Sequence, residues 1–177
     1  MSGIRRTGRK EPVYGEQGLR LLTLSRVQNA VHQYWRMDGF ASTALNSDTF
    51  DLTEIRFWDA GTLVSSGITC TSNLSFFTGG ASTIVNGVSA DSNRAGVQNW
   101  ATARATARLD FNFGQSRQIT HIEIRSLYPQ PRFPASFALS GSPVNGSGYG
   151  LVATVTVGTS FTSLGSNVWT SGQVAIV

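Results

Sequence analysis

The stretch Leu109–Pro143, LDFNFGQSRQITHIEIRSLYPQPRFPASFALSGSP, decides the fold class. Leu109, Phe111 and Phe113 alternate with Asp110 and Asn112, the period of a strand with one wet and one dry face. Gly114 breaks the run, and Gly114–Gln118 reads as a turn. Alternation resumes in QITHIEIRSL, where Ile119, His121, Glu123 and Arg125 face oppositely to Thr120, Ile122, Ile124 and Ser126. Pro129, Pro131 and Pro134 follow. Proline lacks an N–H donor, so these residues suit a segment crossing the end of a sheet better than a sheet interior. SFALSGS then re-enters a strand. The stretch offers strands and a crossing, with almost no side chain suited to catalysis.

Working outward, the same period recurs. In HQYWRMDGFA, Tyr34, Arg36 and Asp38 alternate with Trp35 and Met37. FDLTEIRFWDA repeats the pattern with Leu52, Ile55, Phe57 and Trp58 as the apolar set, ended by Gly61. Trp35 and Trp58 are expected in the core. TLVSSGITCTSNLSFFTGGAS is a weaker strand with Ile68 and Cys70 two apart. TIVNGVSADSNRAGVQN reads as a loop with a turn at Asn86-Gly87. WATARATARLDFNFG reads as strand, because its alternation runs unbroken into LDFNFG despite its alanine content. YGLVATVTVG and a short NVWTSGQVAIV close the chain. About eight strands separated by turn signals, with little helix, predict an antiparallel β-sandwich or jelly roll. Hydrophobic residues make up 40% of the 177, enough for a core, and no internal repeat is present.

Residues 1–31 differ from the 32–177 body. MSGIRRTGRKEPVYGEQG is polar, basic and punctuated by Gly and Pro, and it reads as an extended arm. The formal net charge of +4 is concentrated there, in Arg5, Arg6, Arg9 and Lys10, while the remaining basic residues are scattered arginines. LRLLTLSRVQNAV follows as a short helix or edge strand, whose Leu19, Leu21, Leu22 and Leu24 need a partner surface. A basic arm on a near-neutral body fits docking onto a protein neighbour. The competing readings are a solvated tail and nucleic acid, but four charges in one short arm give only weak, salt-sensitive binding with no base readout. Cys70 is alone, which excludes an intrachain disulfide and a cysteine metal site. No stretch has transmembrane length, and no apolar segment follows the basic cluster as a secretion signal would require. The expectation is a product folded in the cell that makes it, with no membrane partner.

The order of these pieces resembles the galactose-binding-like, discoidin-type jelly-roll family over residues 32–177. HQYWRMDGFASTALNSDTFDLTEIRFWDA is similar to the family's leading strand, loop and second strand. GGASTIVNGVSADS resembles its central loop, ARLDFNFGQSRQITHIEIRS its strand pair, and PASFALSGSPVNGSGYGLV its closing strand. With a basic arm and no secretion signal, the chain looks most like the accessory proteins of tailed-bacteriophage particles. The resemblance implies a virion structural protein, decorating capsid or tail in several copies or as a homo-oligomer, made in the host cytoplasm and docked to other virion proteins. It also implies, as an alternative, a carbohydrate-binding module that attaches to a host-surface glycan.

The resemblance further implies candidate sites. Relatives often hold calcium in the loop corresponding to NGVSADSN, where Asn86, Ser89 and Asp91 could supply oxygens to a hard cation. Asn86 replaces the usual Asp and removes a charge, and an ordinary Asx-rich turn is the competing account, so no cofactor is the base expectation. Many relatives bind sugars at the loops of one sandwich end, where an aromatic face sits beside fixed polar groups. Trp100, Tyr128, Arg132, Tyr149 and Trp169 are the candidates here, each also explicable as core or rim packing. No catalytic residue is assigned. There is no Gly-x-Ser-x-Gly elbow, His121 alternates with Ile122 in a strand, and nothing selects a pair among Asp59, Asp91, Asp110 and Glu123. The chain is expected not to be an enzyme.

Overall fold

The computed structural model describes residues 30–41, 49–87, 95–125, 136–156 and 174–175. The strands in chain order are β1 (His32–Asp38), β2 (Thr49–Leu52), β3 (Glu54–Asp59), β4 (Thr62–Leu63), β5 (Thr69–Ser72), β6 (Ala95–Gln98), β7 (Leu109–Arg117), β8 (Ile119–Arg125), β9 (Ser136–Ser142), β10 (Gly150–Thr156) and β11 (Val174–Ala175). A 3-10 turn spans Ala81–Val85, and a one-turn helix, α1, spans Trp100–Ala103. One sheet has the order β10-β9-β1-β7-β5, a second β11-β8-β3-β4, and β2 pairs with β6 in a separate ribbon. Every pairing among the described strands is antiparallel. The chain is an all-β protein with its core between two sheets.

Period-two alternation produces that core. β1 turns Trp35 and Met37 inward, β7 adds Leu109, Phe111 and Phe113, and β9 adds Phe137 and Leu139. The facing sheet contributes Ile55 and Phe57 from β3 and Ile122 and Ile124 from β8. Phe57 bridges the two layers. Its ring lies edge-on to Phe111 at 5.0 Å and to Phe113 at 5.1 Å between centroids, the geometry aromatic quadrupoles favour.

Several expectations change. β7 does not end at Gly114. It continues to Arg117, with Gly114 at φ +70°, and the chain turns only at Gln118. β7 and β8 then lie in different sheets, so this segment is a corner between layers and not a hairpin. The corner is held by Asp59, which accepts from Arg117 Nη1 and from the Gln118 N–H, both at 2.9 Å. Ile119 is buried with Ile122 and Ile124 although its phase points the other way. The β3–β8 register shifts between Trp58 and Asp59, and the irregularity rotates Ile119 inward.

FDLTEIRFW is two strands, not one. Thr53 leaves the ladder, and both its N–H (2.9 Å) and its Oγ1 (3.1 Å) donate to the Arg125 carbonyl. Trp58 follows Arg56 to the outer face and is only partly buried, so it is not a core residue. WATARATA is helix and turn where strand was expected: Arg104 N–H donates to the Trp100 carbonyl at 2.9 Å. Alanines gain little from either face of a sheet, so local hydrogen bonds decide. The 81–98 region holds a 3-10 turn and β6, where only a loop was expected. The proline crossing at 129–134 lies outside the described residues, as does the arm before Ala30.

Candidate functional site

Three places collect polar or apolar groups that packing alone does not explain. The first is the solvent-facing side of the five-stranded sheet. Residues 34, 36 and 38 of β1 share this face, and strand pairing sets Arg36 between Asp110 of β7 and Ser140 of β9. Arg36 Nε donates to Asp110 Oδ1 at 2.6 Å, and Arg108 Nε lies 3.2 Å from Asp110 Oδ2. The 143–149 connection folds back over β9. Ser142 Oγ holds it, donating its one proton to the Ser147 carbonyl at 2.6 Å, with the Val144 carbonyl also within reach at 2.9 Å, and accepting from the Val144 N–H at 3.0 Å. This brings the Tyr149 ring under the Arg36 guanidinium, 4.0 Å from its centroid. The hydrogen bond to Asp110 raises the Arg36 pKa, and burial pushes the Tyr149 phenol and the Asp38 carboxyl up from their ordinary values. Both Asp110 oxygens face guanidinium groups, which hold the carboxylate in place.

The second is the corner between β2 and β3. Residues 51–55 are buried without a break, and three of them, Asp51, Thr53 and Glu54, are polar. Glu54 has the outward phase of Arg56 and Trp58, yet it is buried where residues 85–87 pass over it. Gly87 N–H donates to Glu54 Oε1 at 3.1 Å, while among the described residues the buried Oε2 has no hydrogen-bond partner. Burial raises the Glu54 pKa, opposed by the Gly87 N–H and more weakly by Arg56 and Arg125. A cavity of about 160 Å³ adjoins this corner, lined in part by Glu54, Leu63, Val64, Ile68 and Val85. The third is a hollow of about 370 Å³ at the start of β1, lined by Ala30, His32, Gly141, Gly148, Gly150, Leu151 and Val152. The His32 ring rests against Gly141 and edge-on to Trp35, and burial lowers its pKa.

The predicted residues distribute unevenly over these places. Tyr149 falls in the first. Trp100 is a correction: its side chain is fully buried, edge-on to Phe40 at 5.6 Å, so its ring has no face to offer a sugar. Tyr128, Arg132 and Trp169 lie outside the described residues. Asn86 is exposed beside the Glu54 corner, and Ser89 and Asp91 lie outside the described residues. So do Arg5, Arg6, Arg9, Lys10, Leu19, Leu21, Leu22 and Leu24. Asp110 and Glu123 sit on the outer faces of different sheets and do not meet as a carboxylate pair. Among the described residues, no three His, Cys, Asp or Glu side chains converge as metal ligands.

Sequence reasoning missed Glu54 and the arginine pair. Glu54 sits in an ordinary strand pattern, and only the passage of Gly87 over it makes it notable. Arg36 and Arg108 are far apart in sequence, and nothing in their local patterns pairs them. No family model, curated protein or solved structure matches the chain. Fold and site define an all-β sandwich with organised polar surfaces.

Proposed function

We propose that this chain is a structural accessory protein of a tailed-bacteriophage particle, decorating its capsid or associated with its tail. In this reading the sandwich is a jelly roll of the galactose-binding-like type, displayed outward. The arm, with Arg5, Arg6, Arg9, Lys10 and the leucines at 19, 21, 22 and 24, docks it onto neighbouring virion proteins in several copies. The hollow at the start of β1 carries the reading. It is apolar and glycine-lined, it sits where residues 1–29 join the body, and Val31 beside it is exposed. A surface of this kind suits a contact that continues the arm. The test is co-sedimentation with particles depleted of the protein, comparing the full chain with one starting at Ala30. The expected outcome is binding by the full chain alone, and equal binding by the shortened chain would remove the arm's role.

Two further readings have an observation of their own. A hard cation such as calcium at the Glu54 corner is supported by the buried Oε2, which has no hydrogen-bond partner among the described residues. A carboxylate oxygen suits such an ion, and carbonyls, waters or the 88–94 segment would have to supply the remaining ligands. Attachment to a surface glycan is supported by Tyr149 beside Arg36 and Asp110, an aromatic ring next to fixed donors and acceptors.

A further inference from the structure

We propose that the solvent-facing side of the five-stranded sheet binds an uncharged oligosaccharide, gripped through neighbouring hydroxyls by Arg36, Arg108 and Asp110, with Tyr34 and Tyr149 beside them. The inference deepens the glycan-attachment reading and rests on it. It moves the site from the loops at a sandwich end to the face of a sheet.

Strand register builds the surface. Thr71 pairs with Asp110, Asp110 with Arg36, and Arg36 with Ser140, so one row crosses β5, β7, β1 and β9. Ser140 is buried, so the accessible part of the row spans β5, β7 and β1, two strand spacings or about 10 Å, more than a single ring covers. The next row, Thr69–Asn112–Tyr34, runs parallel to it and carries only uncharged polar groups and a phenol. Thr69 and Thr71 are exposed at the β5 end, and the Tyr149 ring stands at the other.

The charges choose the ligand. Arg36 has the carboxylates of Asp110 and Asp38 near it and Arg108 that of Asp110, so two arginines and two aspartates leave the cluster no net charge to reward an anion or a cation. What it offers is hydrogen bonding. Each arginine uses Nε on one oxygen of Asp110, and among the described residues the Nη atoms of both have no hydrogen-bond partner. Forked donors flanking a carboxylate match adjacent hydroxyls, each of which donates and accepts. Arg36 is already clamped between Asp110 and Tyr149, so little freedom remains to be lost on binding.

The experiment uses the full chain. Affinity electrophoresis through gels containing neutral polysaccharides (a glucan, a mannan, a galactan) is paired with a glycan array of neutral and acidic oligosaccharides. The variants are Arg108→Gln, Thr71→Val and Asp110→Asn, each checked by circular dichroism and Tm. Arg108 is half-exposed and Thr71 exposed, so these two report on binding even if Asp110→Asn is destabilised. The expected result is retardation by at least one neutral polymer, weakened about tenfold by Arg108→Gln, the scale of one charge-assisted hydrogen bond. No neutral ligand, binding confined to acidic glycans, or binding untouched by both surface variants would each overturn the proposal. Particle co-sedimentation of Arg108→Gln separates the two ideas. A variant that has lost glycan yet still joins particles leaves the docking reading intact, and a wild-type chain that binds glycan but no particle removes docking alone.

Discussion

Glu54 shows how a single side chain takes its character from what passes over it. In an isolated β3 it would be solvated like Arg56; Gly87 and its neighbours bury it and supply one N–H for two oxygens. Its folded pKa therefore lies above the ordinary 4.5. The folded state then holds its proton longer than the unfolded state does. The stabilising contribution is full below pH 4.5 and is lost as pH rises through the raised folded value. Glu54→Gln should flatten this part of the pH–stability curve, as measured by urea unfolding at a series of pH values in chelator. If a cation completes the corner, calcium should raise the Tm of the wild type at pH 7 and leave Glu54→Gln unmoved. A wild-type Tm indifferent to calcium would reduce the corner to a buried acid. His32 has the opposite sign. Burial lowers its pKa below 6.5, so its contribution is present above that pH and is lost as pH falls through the lowered value. An NMR titration midpoint at or above 6.5 would contradict the burial seen here.

At the scale of elements, β9 depends on a residue that is absent as much as on those present. Gly141 lies between Trp35 of β1 and Gly150 of β10, and a Cβ there would stand 2.7 Å from His32 Cγ. Gly141→Ala should cost about 1–3 kcal/mol by overpacking, read as a lower urea midpoint at unchanged m. Removing the ring as well should restore part of it, so His32→Ala with Gly141→Ala should be less than additive. Additive losses would mean that the ring is not what Gly141 accommodates. Such a dependence is invisible in SFALSGS, whereas the strand itself is plain there. The elements legible in sequence are those whose alternation carries large apolar groups: Trp35 and Met37, Phe111 and Phe113, Ile122 and Ile124. WATARATA departs from its alternation because small side chains gain almost equally from strand and helix, which leaves the choice to local hydrogen bonds. β7 runs past Gly114 because glycine permits a positive φ within a strand as readily as in a turn. Tyr149 was the one candidate aromatic that the described surface places beside fixed polar partners. Its arginine and aspartate partners come from other strands, and no local pattern announces a register.

For the whole molecule, the consequence of placing β7 and β8 in different sheets is that neither layer can form its core face alone. The chain passes from one sheet to the other at Gln118, and the Asp59 carboxylate of β3 fastens that passage from the second layer. Phe57 packs edge-on against both Phe111 and Phe113, so this aromatic cluster of the interior belongs to both sheets at once. Two layers joined by a corner and by a shared cluster should unfold as one unit. Phe57→Ala empties a fully buried site and should cost about 3–5 kcal/mol. The informative quantity is where the loss appears. In native-state hydrogen exchange, amide protection should fall together in β1, which never touches the substituted strand's ladder, and in β8, which pairs with it. Loss confined to β3, β4 and β8 would mean that the five-stranded sheet stands on its own. The second layer would then be an addition to it, and a displayed surface on β1, β7 and β9 would survive damage to the other face. Common loss would tie the order of Arg36, Asp110 and Tyr149 to the integrity of the whole sandwich, so that binding at that face reports on the fold as well as on the site.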